Sequence, residues 1–508
     1  MASALALATE TETAGVERGD GVTQRVEDEP ETCREEREGV WACSDKERRG
    51  KKEAGGHIGM SDSRSVNEYF FYYSKMEHQQ NMLRDYVRTS MYKIAIEENA
   101  SSDFEGKTVM DVGAGSGILS YFAALSGASR VYSVEASGAA GAIETVVSDN
   151  ELFKDTIEVL NILVEHLEVT EACSQGESRS EGKETKRKQR KQIESKVDTL
   201  ISEPIGVALF NERMVETYLT ARDKFLKPNG TMLPSRASLS FAPFSDSTLY
   251  AELRRKVEFW ESASDFHGID MTGLTERSLR EVFRQPVCDY LDPLSILSDP
   301  LTRGFDFRSL RAEELHSLLF EFDFEIRHTA LVHGVAVWFD IFFEGGSSSV
   351  GFSTAPGCPP THWYQMRLLL TKPLAVNAGQ RLVGELRMEA NGFQSYWADL
   401  LLRIEGTEFE AKSVTIDLKD SFYRQGSFQP FTAFEISSTA GQGSISGTTR
   451  SGRAYLNPSL PANQAVNQWF QELFEEDKEE MADDQQLQQQ IANLQQQLAQ
   501  LQTDLAQA

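Results

Sequence analysis

Glu203 and Glu212 lie in the stretch ISEPIGVALFNERM, and two carboxylates so spaced can close on one flat cation from opposite sides. An arginine guanidinium offers five donors in a rigid fork and keeps its proton near neutral pH, so opposed carboxylates satisfy it without leaving a charge unpaired. One bidentate carboxylate fixes the plane of the group. The second draws positive charge toward one terminal nitrogen and leaves the other with more lone-pair character, as attack on an electrophile requires. The plainer alternative is a pair of solvated charges at a helix start near Pro204, favoured by the helix dipole. Against it, Glu203 follows the apolar, strand-like Thr199 to Ile201, where enzymes with parallel sheets place their ligands.

The elements that must position this pair begin at VMDVGAGSGILS. Val109 to Val112 is a short apolar run of the kind found in a buried parallel strand. Gly113, Gly115 and Gly117 then form a turn without side chains, and Ile118, Leu119 and Phe122 start a helical period. Such a turn lets backbone amides approach a ligand closely. Arg130 to Val134 reads as the next strand and ends at Glu135, about 20 residues after the turn, where a carboxylate can take both ribose hydroxyls of a nucleoside cofactor. A glycine turn of this kind also serves nicotinamide, flavin or purely structural roles. The G-x-G-x-G spacing departs from the usual dinucleotide pattern, and no GxxxxGK[ST] phosphate cradle is present.

The segments YFFYYSKMEHQQNMLRDYVRTSMY, VMDVGAGSGILS, SVEAS, SEPIGVALFNERM and THWYQ follow one another as they do in type I protein arginine methyltransferases, which this chain resembles over about Ser65 to Arg424. FHGIDMTGL, FRQPVCDY, LVHGVAVWFD and STAP, outside the shared motifs, resemble the coactivator-associated, histone-methylating branch. The resemblance implies an α/β fold: a Rossmann-like domain binding S-adenosylmethionine, then a β-barrel domain with a helical dimerisation arm.

Carried over by motif, the resemblance implies that Gly113, Gly115 and Glu135 hold the cofactor backbone and ribose. It further implies that Arg88 pairs with the methionine carboxylate, that Glu165 reaches the adenine, and that Gln79 and Thr217 add cofactor contacts. Glu203 and Glu212 become the substrate clamp, Tyr69, Tyr73, Met82 and Met214 shape the arginine pocket, and His362 with Asp85 forms a pair beside it. Thr217 keeps the hydroxyl of the family's common serine, whereas Ile162 and Leu163 replace a usual glycine and lysine at the adenine edge. Met82 and Met214 also read as core filler, and His333 as a hydrogen-bonded structural residue. The implied products are monomethyl and asymmetric dimethyl arginine on histones and other proteins, with a role in chromatin and transcription in nucleus and cytoplasm. The competing readings are a methyltransferase for another substrate class and a non-catalytic scaffold. A base methyltransferase is expected to show an aromatic-proline motif where this chain has SEPI.

Composition bounds the rest. A chain of 508 residues with 40% hydrophobic content can bury more than one core. No run of about 18 apolar residues marks a membrane span, and the N-terminus lacks a secretory pattern. Five cysteines scattered without CxxC pairs suggest a reducing compartment and no metal. A formal net charge of −27 argues against direct nucleic-acid binding and suits basic protein substrates.

Along the chain, residues 1–62 are polar and read as a disordered tail, too short for the folded N-terminal domain of animal relatives in the resembled branch. Residues 63–233 read as the cofactor-binding domain, with alternating strands and helices arguing a doubly wound sheet. Residues 171–196 interrupt it as an exposed basic insertion, whose KRKQRK is either a nuclear localisation signal or a solvated loop. Residues 234–424 carry β-formers broken by turns, an antiparallel barrel or sandwich, with a partly helical segment at about 259–305 as the arm that the resemblance docks on a second subunit. Residues 425–466 read as a flexible linker. Residues 467–508 read as a glutamine-rich helix whose Leu487, Ile491, Leu494, Leu498, Leu501 and Leu505 form a short heptad seam for a coiled-coil partner or a second copy.

Overall fold

The structure, a computed structural model, describes residues 63–170 and 192–424. The expected N-terminal tail, most of the basic insertion, the linker and the heptad seam lie outside the described residues.

Three helices open the described chain, α1 (Ser63–Tyr73), α2 (Met76–Leu83) and α3 (Tyr86–Glu98). They lead into five parallel strands, β1 (Thr108–Val112), β2 (Arg130–Val134), β3 (Ile157–Leu160), β4 (Val197–Ser202) and β5 (Leu226–Leu233), in the order β3-β2-β1-β4-β5. Val109, Met110, Val131, Leu200 and Ile201 are all fully buried. Covered faces explain why these strands read as continuous apolar runs rather than as alternation. Helix α4 (Ile118–Leu125) follows β1, and α5 (Met214–Phe225) joins β4 to β5. The direction of winding reverses between β1 and β4, which opens a crevice at their carboxyl ends.

The expected insertion ends too late by several residues. Gln192–Ile193 pairs in parallel with Glu168–Val169 and Ile193 is buried, because an isoleucine beside the sheet contributes more as core than exposed in a polar loop.

Two mainly antiparallel sheets make the second region. One runs 301–306, 236–244, 330–344, 365–376, 287–289 and 422–423, with 349–353 added on the 330–344 strand. The other runs 317–325, 381–390, 396–404 and 410–412. The 317–325 strand alternates strictly between exposed and buried residues, the pattern of a sheet wetted on one face. Its inward Phe320 and Phe322 pack on Phe241 of the first sheet, with ring centroids 4.6 and 5.3 Å apart.

The helical part of the expected arm also starts earlier than 259 and ends sooner. Helices Ser247–Glu261 and Thr275–Phe283 carry it, whereas Leu301–Asp306 is already a strand paired with 236–244. Asp246, whose carboxylate caps the first helix through the Leu249 amide, is the start signal passed over in the sequence. Phe259, Phe266, Ile269 and Leu274 are exposed around the turn of this hairpin.

Candidate active site at the sheet switch point

Gly113 and Gly115 leave β1, Glu135 leaves β2, and Glu203 leaves β4, so strand order alone gathers them at the crevice. Gly115 has φ +55°, and a Cβ there would stand 2.9 Å from Gln79 Oε1. At Gly113 it would meet the Met214 methyl at 3.2 Å. Helix α2 and the start of α5 therefore press on a turn that only glycine allows. The Glu135 carboxylate accepts from the Gly115 and Ser137 amides, each at 2.7 Å, which fixes its two oxygens. Asn161 Nδ2 donates to the carbonyls of Glu135 and Ser137 and holds the same loop. Thr217 donates to Glu165 at 3.0 Å at the outer edge. A nucleoside-type cofactor fits this cradle; among the described residues no group of His, Cys, Asp and Glu could hold a metal.

The second half of the site is acidic and aromatic. Arg88 donates from Nε at 3.1 Å and from a terminal nitrogen at 2.7 Å to Glu203 Oε2. Both side chains are nearly buried, 8% and 10% exposed, so an unpaired charge would be costly at either. The Ile205 amide donates to Glu203 Oε1. The resemblance assigns Arg88 to a ligand carboxylate; here it neutralises Glu203, so a guanidinium held by Glu203 must share that carboxylate with it. Glu212, expected as the other member of a clamp, accepts from the Tyr73 hydroxyl at 2.7 Å, and Tyr69 packs on Tyr73 with tilted rings and centroids 4.7 Å apart. Burial pushes the Glu212 carboxyl above its usual range, opposed by the Tyr73 hydroxyl and the Lys419 charge. Burial, then the charges of Glu212, Glu135 and Glu203, holds Tyr69 protonated. The charges of Glu212 and Glu203 act on both Tyr69 and Tyr73, and that of Glu135 on Tyr69.

Asp85, fully buried, caps α3 through the Arg88 amide and accepts from His362 Nδ1 at 2.7 Å. One carboxylate thus orients both the arginine on Glu203 and the imidazole. Trp363 donates from its indole to the Ile205 carbonyl. Met82 contributes its carbonyl to Arg88. His333, by contrast, accepts from the Asp246 amide away from this cluster, a structural role.

The loop between the glutamates is strained. Ala208, Leu209, Glu212 and Arg213 all have positive φ, a conformation that costs about 1–3 kcal/mol for each non-glycine residue and clusters at functional sites. Sequence reasoning passed over Asn161, Lys419 and the backbone role of Ser137. No local motif marks Lys419, which reaches the site only through the return of the barrel's last turn.

Fold and site together define a Rossmann-like domain joined to a β-barrel-type domain, with a nucleoside cradle opening onto a carboxylate pair. Comparisons with known proteins agree. Residues 235–408 match the model of the arginine methyltransferase oligomerization subdomain, and residues 89–176 that of ribosomal protein L11 methyltransferase. The chain is 42% identical over 364 residues to histone-arginine methyltransferase CARMER of Drosophila persimilis, and equally to the probable histone-arginine methyltransferase CARMER of Drosophila melanogaster. Those alignments cover 72% of this chain and 63% of each relative, so the chain spans less than two thirds of their length. The Trypanosoma brucei PRMT1 enzyme-prozyme heterotetrameric complex with AdoHcy is similar at TM-score 0.55 and 30% identity, over 68% of this chain and 99% of that one. Arabidopsis thaliana protein arginine methyltransferase 10 is similar at TM-score 0.58 and 28% identity, over 68% and 100%. The chain belongs to the protein arginine methyltransferase family.

Proposed function

We propose that this protein transfers methyl groups from S-adenosylmethionine to arginine side chains of histones and other proteins, as a type I enzyme that forms monomethyl and asymmetric dimethyl arginine. The observation that carries the reading is Glu203 and Glu212 beside a nucleoside cradle, at the two ends of a loop with several left-handed residues. Glu135 would take the ribose, Glu165 with Thr217 the adenine edge, and Arg88 the methionine carboxylate. S-adenosylmethionine, when bound, would supply a sulfonium methyl as the electrophile, and the methyl–sulfur bond would break with its electron pair leaving on sulfur as the neutral thioether S-adenosylhomocysteine. Glu203 and Glu212 clamp the guanidinium and draw its charge toward one terminal nitrogen, so that the other attacks the methyl carbon. That nitrogen loses a proton afterwards, and Glu212, its carboxyl raised by burial, is a suitable acceptor. Tyr73 and Tyr69 exclude water from one side, and Asp85 holds the His362 ring.

Met82 and THW support the asymmetric product by resemblance. The exposed apolar residues at the tip of the helical hairpin support a homodimer through the arm, and the heptad seam a further coiled-coil contact. The names of the relatives support histone substrates, a nuclear site of action and a role in chromatin. The test is transfer of labelled methyl from S-adenosylmethionine to arginine-rich peptides and to the same peptides with lysine at each arginine. Label on the first alone is expected; label on neither, or equally on both, overturns the reading.

A further inference from the structure

The residue before Glu212 ties the strained loop to the barrel. Asn211 is buried. Its side-chain oxygen accepts from the Ser395 hydroxyl at 2.7 Å, and its amide nitrogen donates to the Leu418 carbonyl at 3.2 Å. Ser395 stands in the turn between strands 381–390 and 396–404, and Leu418 opens the last helical turn, the one that carries Lys419. The Asn211 carbonyl closes against Gly206, where a Cβ would stand 1.9 Å from it. Arg213, on the other side of Glu212, donates to the Asn391 carbonyl of the same barrel turn at 3.4 Å. Glu212, at φ +72°, is therefore held between two residues anchored on the barrel, while Glu203 is held by its own strand and by Arg88.

We propose that Asn211 is a positioning residue, which with Ser395 sets the Glu212 carboxylate against the substrate guanidinium and couples the clamp to the barrel. This rests on the arginine methyltransferase reading. An amide suits the place because it gives one donor and one acceptor at once, as the two barrel groups demand. Aspartate cannot donate to Leu418, and alanine makes neither bond. Once released, the loop relaxes toward ordinary dihedrals and carries Glu212 away from Tyr73, although no atom of Asn211 need touch substrate.

The test uses the full chain with Asn211→Ala, Asn211→Asp, Ser395→Ala and the Asn211→Ala/Ser395→Ala double variant. Rates are measured on an arginine-rich peptide from pH 5 to 9, alongside S-adenosylmethionine affinity and thermal unfolding. Misplacement of a reacting group by about 1 Å costs on the order of 100-fold, so kcat/KM should fall roughly 10- to 100-fold with cofactor affinity within about twofold of wild type. The acid limb should move to higher pH, because Glu212 loses the Tyr73 hydroxyl while Glu203, Lys419 and His362 still face it. The double variant should be no worse than the poorer single one. A merely structural role leaves the limb in place. Ser395→Ala removes one bond and little volume, and serves where the Asn211 variants do not fold. Unchanged kcat/KM, additive losses with an unmoved limb, or cofactor affinity falling in step with activity would each overturn the inference while wild type stays active. A wild type that methylates no arginine overturns the functional reading and this inference with it.

Discussion

Replacing Glu212 by glutamine keeps the shape of the side chain and its bond to Tyr73, but removes one of the two charges that the proposed clamp sets on the guanidinium. Breaking a buried ion pair on one side costs about 3–5 kcal/mol. Glu212 is only partly buried, which places it at the lower end, about 3 kcal/mol. At about 1.4 kcal/mol per factor of ten this is roughly a 150-fold loss in kcat/KM. The cradle around Glu135 is built from other elements, so cofactor affinity should stay within about twofold. The acid limb of the pH profile adds a second readout. Burial raises the Glu212 carboxyl, so in wild type the limb should lie above the ordinary glutamate range, with activity lost as pH falls through it. Glutamine has no proton to take up there, and the limb should flatten. The assay is initial-rate methylation of an arginine-rich peptide across pH, with cofactor affinity by calorimetry. Near-normal turnover in Glu212→Gln would refute the clamp, and an unmoved limb would show that another group titrates.

Asp111 is fully enclosed, bonded to Ser120 through one oxygen, and burial pushes its carboxyl from 3.8 up to about 7. The folded state keeps a proton that the unfolded chain gives up, so this contribution is full below the unfolded value and is lost as pH rises through about 7. Stability should therefore rise by about 1 kcal/mol from pH 8 to pH 6 through this group, and Asp111→Asn should lack that increment in denaturant melts; equal pH slopes refute it. Phe266→Ser with Ile269→Ser, exposed at the hairpin tip, should lower both sedimentation mass and methylation, and a fully active monomer would contradict the arm's role. Truncation after Val466 should leave peptide methylation within about twofold while changing complex size; identical mass with unchanged partners would show the heptads idle.

The parallel sheet was legible because strands buried on both faces write themselves as apolar runs, and Arg130–Val134 coincides with its strand. Glu203 could be placed from the sequence because it follows the end of an apolar strand, whereas Glu212 stands in a short turn before the helix Met214–Phe225 and was marked only by its motif. Much of what holds them in place was not. Asn211, Ser395 and Leu418 meet across 207 residues of sequence at most, and hydrogen bonds of that span leave no periodic trace. The left-handed backbone at Glu212 is equally silent, since neither Glu212 nor Arg213 is a residue type that signals positive φ. The pairing of Arg88 with Glu203 was missed for a related reason: motif position assigns a residue to a ligand without showing which protein charge neutralises it.

The most direct measurement is mass analysis of an arginine-rich histone-tail peptide after incubation with the protein and labelled S-adenosylmethionine, with Glu203→Gln and Glu212→Gln in parallel. Labelled monomethyl and asymmetric dimethyl arginine are expected from wild type, with a large loss in both variants. Symmetric dimethylarginine alone would contradict the type I assignment, and no label on arginine, with the cofactor bound, would contradict the account at its centre.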